Sequence, residues 1–326
     1  MNINDFTVTE LTAAINRFPI QWGRVSQSGL FADRGVRNRS VIIEEQSGTL
    51  ALLPTHEWGG EGTAASKINR NTFSFAIKQT AHDDLVSAAD VQDVRAFGGE
   101  ELASMSTETA LRLQRMRARH DITLEYKRMG ALKGNVLNSD GTTSLANLFT
   151  TFGTSQVTVD FALGTPGTDI RAKCQAVLVQ IEDNLKGDTM TAARVLVSPE
   201  FWAKLITHPQ VTDYIKNTPG ARDFMMQRAN QIDIYGVIFE QYRAVVNGVR
   251  LIAAQEGHAY PEGTVDTFAT YYAPADFNEA ANTIGLPIYV KTWDAPGGRG
   301  VVIHTQCNSL PLCHQPAVLV KVTTSN

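Results

Sequence analysis

One long amphipathic stretch, from about Thr107 to Lys133, constrains the fold of this chain more than any other feature. Its apolar residues recur at spacings of seven, four, seven and three, at Leu111, Ala118, Ile122, Met129 and Leu132, with Leu113, Met116 and Leu124 beside them. The charged residues between them are expected to face solvent: Arg112, Arg115, Arg117, Arg119, Glu125, Lys127 and Arg128. This periodicity predicts one helix of roughly 40 Å, closed by Gly130 and Gly134. Taken alone, the pattern also fits an ordinary long surface helix.

The composition predicts an ordered, soluble protein made in the cytoplasm. The chain has 326 residues, of which 43% are apolar and 19% charged, and its formal net charge is -4. The length suits one large domain or two modest ones, and the charge balance excludes a disordered polyelectrolyte and disfavours a dedicated nucleic-acid-binding protein. No apolar run approaches the ~18 residues that span a bilayer, and the N-terminus lacks a signal-peptide pattern. Three sparse cysteines, Cys174, Cys307 and Cys313, fit a reducing compartment better than a disulfide scaffold.

Residues 46–80 are predicted to form a long hairpin. The segment GTLALLPTHEW enters it, and NRNTFSFAIKQ leaves it with Phe73, Phe75 and Ile77 at strand period. The tip, GGEGTAASK, is rich in glycine, and the extra ordering entropy of glycine predicts mobility until something else fixes the tip. Because a lone hairpin is marginal in water, we expect this one to pack against another chain.

The remaining segments indicate an α+β chain with two lobes. Residues 1–45 are mixed, with an amphipathic run at Leu11–Phe18 and an arginine-rich stretch that predicts an exposed or interface-seeking arm. A tight turn is expected at 139–141 and a domain junction at 164–169. A helical face is then predicted at Ile170, Cys174, Val177, Ile181 and Leu185. A buried strand should follow, with Ser198 as helix cap and Pro199 at the first helical position. Further strands are expected around 234–242, 249–253 and 286–322, with a turn at 295–300.

Catalytic motifs are weak in this sequence. The glycine-rich segment with Lys67 has the wrong spacing for a phosphate-binding loop, and neither G-x-S-x-G nor H-E-x-x-H occurs. Donors suited to zinc occur in HTQCNSLPLCH, at His304, Cys307, Cys313 and His314. Their spacing does not match paired C-x2-C knuckles, and buried cysteines explain them more simply.

Two further clusters have both a chemical and a structural interpretation. His82, Asp83 and Asp84 could support base-and-carboxylate chemistry, but no nucleophile stands beside them and a turn or helix cap is favoured. Tyr271, Tyr272 and Phe277, around Pro274, could stack a base or a sugar, although such residues more often pack a lobe boundary. We therefore predict no catalytic residue, no cofactor and no metal site.

The order of these parts resembles the shell proteins of tailed phages. From about residue 40 onward the chain is similar to the lambda-like phage major capsid protein E family, and the last third is the most specific part. The similarity lies in FSFAIKQTAHDDLVSAADVQ (73–92), GALKG (130–134), YYAPADFNEAANTIGLPIYVKTW (271–293) and QCNSLPLCHQPAVLVKV (306–322). The N-terminal arm matches poorly.

The resemblance implies the Hong Kong 97-type capsid fold. In that fold residues 1–45 would be the N-terminal arm, and residues 46–80 the extended loop, or E-loop, lying over a neighbouring subunit. A peripheral domain would comprise residues 81–164, with a spine helix at about 100–134, and the returning strands of 281–326. Residues 165–280 would form the axial domain, which meets its copies around five- and six-fold positions.

The same resemblance implies the partners and the location of the chain. Copies would assemble in the host cytoplasm into pentamers and hexamers of the virion shell, around non-specifically held double-stranded DNA. Scaffolding protein and protease are expected as separate proteins beside a portal, and a decoration protein is left open. The assembly contacts are expected at the E-loop tip: Glu57, Trp58, Gly59, Gly60, Glu61 and Lys67. No partner for cross-linking through Lys67 is identified.

Two alternatives remain open from the sequence. An encapsulin-like nanocompartment shell would share the fold but enclose enzymes rather than DNA. A soluble metal-dependent enzyme would use the His304–His314 or the His82–Asp84 cluster.

Overall fold

The computed structural model of the chain describes residues 8–17, 23–47, 69–92, 105–218 and 230–325. The helices are α1 (Val8–Arg17), α2 (Arg24–Gln27), α3 (Met105–Leu132), α4 (Leu148–Phe152), α5 (Ile170–Asn184), α6 (Pro199–Thr207) and α7 (Pro209–Asn217). The first nine strands are β1 (Ala32–Gly35), β2 (Ser40–Ser47), β3 (Asn69–Ala76), β4 (Ala81–Ser87), β5 (Asn135–Leu137), β6 (Ser144–Asn147), β7 (Val157–Asp160), β8 (Ala192–Val197) and β9 (Gln231–Ile234). The remaining nine are β10 (Val237–Gln241), β11 (Val245–Val246), β12 (Val249–Arg250), β13 (Glu256–Glu262), β14 (Phe268–Tyr272), β15 (Tyr289–Asp294), β16 (Gly300–Gln306), β17 (Ser309–Cys313) and β18 (Val320–Thr323).

The predicted long helix is confirmed as α3, which has 28 residues and therefore a length of about 42 Å. Gly134, at φ +80°, follows its last turn in the left-handed conformation that glycine favours. Gly130 lies inside the helix, where an added Cβ would come within 2.8 Å of the Asn135 carbonyl oxygen. The glycine therefore lets β5 fold back closely over the end of α3.

A six-stranded sheet in the order β7-β18-β13-β8-β10-β9 organises the larger hydrophobic cluster. The predicted helical face of α5 is confirmed, since Ile170, Cys174, Val177 and Ile181 are all fully buried. Ser198 caps α6 as predicted, with its hydroxyl accepting a hydrogen bond from the Phe201 amide, and Pro199 takes the first helical position. Strands β13 and β14 were not predicted.

Two smaller sheets surround α3. One has the order β15-β16-β4, with the predicted turn at 295–300 between β15 and β16, and the other has the order β1-β14-β17. A second hydrophobic cluster lies where α1 and α3 meet the first of these sheets, and it includes Ile15, Met116, Val290 and Ile303. No helix in the described ranges has both the length and the apolar character needed to cross a membrane.

The base of the predicted hairpin is formed by β2 and β3, which pair antiparallel from Ser40–Ala76 to Ser47–Asn69. Phe75 and Val41 are cross-strand partners on the buried face, as the alternation in the second strand predicts. The first strand, however, begins at Ser40, inside the range expected for the arm. The predicted entering segment, 48–58, lies outside the described residues.

Candidate functional site

The charged side of α3 is buried over its C-terminal half, so the prediction that it faces solvent is wrong there. Arg115 and Arg119 are exposed, as expected. The side chains that are instead buried are Arg117, His120, Asp121, Glu125, Lys127 and Arg128. The N-terminal segment and the two small sheets enclose this side of the helix and supply partners to its charges, which removes the penalty of burying them unpaired. We call this set of buried residues the polar seam.

Glu125 is the centre of the polar seam. It is 0% exposed, and its Oε1 accepts hydrogen bonds from the Val25 amide at 2.9 Å and the Tyr242 hydroxyl at 2.7 Å. Its Oε2 accepts from the Ser26 amide at 2.8 Å and the Ser26 hydroxyl at 2.7 Å. The two amides belong to the first turn of α2, whose N-cap residue, Gly23, has no side chain to satisfy them. Glu125 thus caps a helix a hundred residues away in sequence.

Tyr242 links the same carboxylate to the six-stranded sheet. Burial and the adjacent Glu125 carboxylate raise the pKa of Tyr242, so its hydroxyl stays protonated and acts as a donor. Arg24, the residue that opens α2, donates to both carboxylate oxygens of Glu240 on β10, through Nε at 2.5 Å and Nη2 at 3.0 Å. Arg194 on β8 donates to the same carboxylate at 2.6 Å. Residues 24–26 therefore fasten α3 to the sheet.

Gly23 makes this close approach possible. Its φ is +105°, and an added Cβ would lie 2.4 Å from Oε2 of Glu125. The Glu125 carboxylate cannot easily move away, because its two oxygens together accept four hydrogen bonds. We expect Gly23→Ala to destabilise the unassembled chain by about 2 kcal/mol or more, measured by urea unfolding. Gly29→Ala is the matched control, because Gly29 also has a positive φ, of +70°, but open space around it. If Gly23→Ala and Gly29→Ala lowered the free energy of unfolding equally, the close approach of Gly23 to Glu125 would not be the cause.

The C-terminal part of the polar seam holds a second N-terminal segment. Arg128 donates to Asp33 Oδ1 at 2.8 Å and to the Thr270 hydroxyl at 3.1 Å. Lys127 donates to the Thr80 hydroxyl at 3.0 Å and to the Ser309 carbonyl oxygen at 3.2 Å, and burial lowers its pKa. These contacts bring β1, β14 and β17 together along the helix.

Charges of the arginine-rich stretch also meet partners in the body of the chain. Arg34 forms an ion pair with Asp266 at 2.5 Å, and Arg39 forms one with Asp276 at 2.7 Å. Arg39 is 77% exposed at its side chain, as an arm residue was expected to be. Such exposed pairs contribute little stability each, so they orient this segment rather than hold it.

His82, Asp83 and Asp84 lie on β4 and take separate structural partners. The Nε2 atom of His82 is 2.6 Å from Nη1 of Arg119, and Asp84 accepts from Arg112 at 2.9 Å. Asp83 contacts Nδ1 of His304 on the neighbouring strand. The three side chains thus join β4 to α3 and β16. The favoured turn or helix cap is wrong, because strand pairing with β16 places these residues within a sheet.

The possible zinc ligands do not converge. His304 lies on β16, whereas Cys313 ends β17, a strand of the other small sheet. Burial raises the pKa of Cys307, and that of Cys313 to about 12, which disfavours the thiolate that binds metal. His314 contacts the Tyr271 hydroxyl at 3.0 Å. Over the described parts of the chain, no group of three or more His, Cys, Asp or Glu side chains is placed to hold a metal ion.

The aromatic cluster is used for packing and hydrogen bonding. Tyr271 and Tyr272 are buried on β14, and the Tyr272 hydroxyl donates to Asp33 at 3.1 Å. Phe277 packs edge-on against Tyr289, with ring centroids 6.4 Å apart, and against His304 at 5.4 Å. Both tyrosines are buried, and Phe277 is half-buried.

The predicted assembly contacts at the hairpin tip, Glu57, Trp58, Gly59, Gly60, Glu61 and Lys67, lie outside the described residues. The structure instead identifies the polar seam, which sequence reasoning missed. A signal was present, because the charged residues between Arg117 and Arg128 cover most of the helix surface and leave only the narrow stripe of Ala118, Ile122 and Tyr126 without a charge.

Comparisons with known proteins agree over almost the entire chain. The sequence profile of the family described as phage major capsid protein E matches residues 7–324. The major capsid protein of Pseudomonas phage KPP10 is 28% identical, covering 98% of this chain and 97% of that protein. The major capsid protein of Salmonella phage Felix O1 is 26% identical, with coverage of 97% and 96%.

The fold also has solved counterparts. The capsid protein of Myoviridae phage XM1 superposes with a TM-score of 0.54 at 11% identity, covering 94% of each chain. This likeness bears on the fold alone, which is the Hong Kong 97-type capsid fold with α+β content. Since the family profile spans nearly every residue and both relatives align over almost their full lengths, the chain belongs to the phage major capsid protein E family.

Proposed function

We propose that copies of this chain assemble into pentamers and hexamers of a closed icosahedral shell that encloses a double-stranded DNA genome. The observation that carries this proposal is the family match over residues 7–324, which makes the chain a major capsid protein and a component of the phage virion. Negative-stain electron microscopy with light scattering on the purified chain tests it. Closed shells or rings of five and six support the proposal, and a small stable dimer containing metal would contradict it.

The division into domains is part of the same proposal. Residues 1–45 would serve as the N-terminal arm, 46–80 as the E-loop, 81–164 and 281–326 as the peripheral domain, and 165–280 as the axial domain. In support, α5 begins directly after the junction at 164–169 with Asp169 as its N-cap. The sheet of the axial domain would include β7 and β18 from the flanking segments, which couples the two domains through backbone hydrogen bonds.

The E-loop tip is proposed to contact a neighbouring subunit. Replacing Glu57, Trp58 and Glu61 together by alanine should impair shell formation while leaving the unfolding transition of the chain unchanged, because these residues would make contacts only after assembly. Shell yield is measured by sedimentation and microscopy. Glu182→Ala with Asp183→Ala, two exposed positions on α5, is the control. Normal shells from the tip variant would remove the tip from the mechanism.

The other partners are also proposals. Scaffolding protein and protease would be separate chains, shells would incorporate a portal, and packaged DNA would be held without sequence preference, in keeping with the net charge of -4. Normal shells formed without any scaffolding protein would contradict the first of these.

We further propose that the role is structural, without catalysis. Stoichiometric zinc in the purified chain would instead favour an enzyme.

A further inference from the structure

Two hairpins of this chain use turns with the same backbone geometry but different residues. The β11–β12 ribbon turns through Asn247 and Gly248, with φ of +50° and +77°. The β9–β10 hairpin turns through Tyr235 and Gly236, with φ of +52° and +83°. Both positions of such a turn require a positive φ, which Asn adopts readily and a bulky aromatic residue does not. Tyr235 is therefore held in a conformation that its side chain disfavours, a feature that often marks a functional position.

The surroundings of Tyr235 form a defined surface. Its ring lies 4.8 Å from the ring of Tyr214 on α7, measured between centroids, and the Arg171 guanidinium is 5.9 Å from its centre. These contacts fix the ring, yet 36% of Tyr235 remains exposed. We call these three residues the tyrosine surface. Tyrosine combines a large apolar area with little conformational freedom to lose, which suits it to protein contacts.

The β11–β12 ribbon presents a complementary feature. Val246 is the cross-strand partner of Val249, and Val245 that of Arg250, so Val245 and Val249 lie on opposite faces of the ribbon. Val245 is 51% exposed and Val249 is 66% exposed. A two-stranded ribbon with valines open on both faces is marginal in water and gains stability when another surface covers it. Arg243, exposed at the base of the ribbon, adds a cation of the kind that aromatic rings attract.

The position of the two features determines how they can meet. Tyr235 precedes the first residue of β10, and the ribbon follows the last, so the two features lie at opposite ends of one strand. A contact from one end of a molecule to the other end of its copy is heterologous, and repetition of such a contact generates a ring when the rotation closes. The partner of each surface that best fits this geometry is therefore a second copy of the chain.

We propose that the tyrosine surface of one subunit receives the β11–β12 ribbon of the next copy of this chain. The proposal rests on the proposed function, since it assigns the residues through which copies would join within a ring. A tyrosine in this strained turn would then serve the contact between subunits and not the stability of the isolated subunit.

The first test replaces Tyr235 by the residue that the same turn carries in the ribbon. In Tyr235→Asn, relief of strain and loss of the ring contact oppose one another, so we expect an unfolding midpoint close to that of the unchanged chain. The yield of rings or shells, measured by mass photometry and microscopy, should fall at least ten-fold. Lys186→Asn is the control, because Lys186 also has a positive φ, of +48°, and precedes a glycine. It should assemble normally.

The second test joins the two surfaces covalently. Asp213→Cys, an exposed position beside Tyr214 that leaves the tyrosine surface intact, combined with Val249→Cys should give, on oxidation, a ladder of linked subunits reaching five or six. Either change alone should leave single chains. The native cysteines are buried and do not interfere. Shells that form normally with Tyr235→Asn, or a double variant that assembles without a ladder, would overturn the inference while leaving the proposed function intact. If the unchanged chain, co-expressed with its scaffolding protein, forms neither rings nor shells, the proposed function and this inference are both rejected.

Discussion

Glu125→Ala is expected to destabilise the unassembled chain by about 3–5 kcal/mol, the range seen when a buried polar or charged network loses one member. The substitution removes both carboxylate oxygens and leaves the Val25 and Ser26 amides and the Tyr242 hydroxyl without their acceptor. Those donors are buried, so each unsatisfied group contributes to the loss. Urea unfolding monitored by tryptophan fluorescence measures the change.

Local release of the N-terminal segment should accompany the loss of stability. Glu125 caps α2, so its removal should expose the bond after Arg24 to trypsin under native conditions, at a rate well above that of the unchanged chain. Glu125→Gln keeps one acceptor but places an amide group against the Ser26 donors. We expect its free energy of unfolding to lie between those of the unchanged chain and Glu125→Ala.

A matched control separates this effect from the loss of any helical glutamate. Glu182 lies exposed on α5, and Glu182→Ala should change the free energy of unfolding by no more than about 0.5 kcal/mol. A Glu125→Ala variant as stable as Glu182→Ala would show that the polar seam does not hold α2 to α3.

Features with local causes could be predicted from the sequence. The helical state of α3, the cap at Ser198 and the buried face of α5 each depend on residues within a few positions of one another, and each is confirmed. The predicted apolar stripe of α3 is only partly confirmed, since Leu111, Ala118 and Ile122 are half-buried. The polar seam could not be predicted in the same way, because Glu125 meets donors 99 or more residues away. Periodicity classifies a charged residue as solvent-facing, whereas burial depends on which distant segment covers it.

The strand errors have a similar origin. Strand β13, with the sequence EGHAYPE, carries a proline, a glycine and charged ends, so it lacks the alternation that predicts a strand. Its neighbours β8 and β18 supply the pairing, and Gly257 is needed because an added Cβ would lie 2.7 Å from Val197. The apolar run after residue 48 predicts that the first strand of the hairpin lies there, whereas β2 begins at Ser40. The pairing of β2 with β3 sets the bounds of both strands, and this pairing joins residues about 20 to 36 positions apart.

Acidification is expected to destabilise the folded chain well before its carboxylates titrate. Burial lowers the pKa of His258 to about 3, with Lys133 and Lys321 adding to the effect. Burial likewise lowers the pKa of His120 to about 3, aided by His82, Lys127, Arg117 and His304. An unfolded chain would protonate both histidines near pH 6.5. Between pH 6.5 and about 3 the unfolded state therefore binds more protons than the folded state, and stability falls as the pH falls.

The size of this effect follows from proton linkage. Each histidine contributes a loss of about 1.4 kcal/mol per pH unit, so the pair should lower the free energy of unfolding by roughly 5 kcal/mol between pH 6.5 and 4.5. Most carboxylates of an unfolded chain titrate near pH 4, so this window isolates the histidines. The acid sensitivity is a property of the subunit core, since both side chains are buried in the unassembled chain.

His258→Leu provides the decisive measurement. The leucine cannot bind a proton, so the difference in unfolding free energy between this variant and the unchanged chain should be constant above pH 7, which serves as the internal control. Below pH 6.5 the difference should shift in favour of the variant by about 1.4 kcal/mol per unit. A difference that stays flat down to pH 4.5 would show that His258 takes up its proton in the folded state, in which case its burial between Lys133 and Lys321 does not keep it neutral.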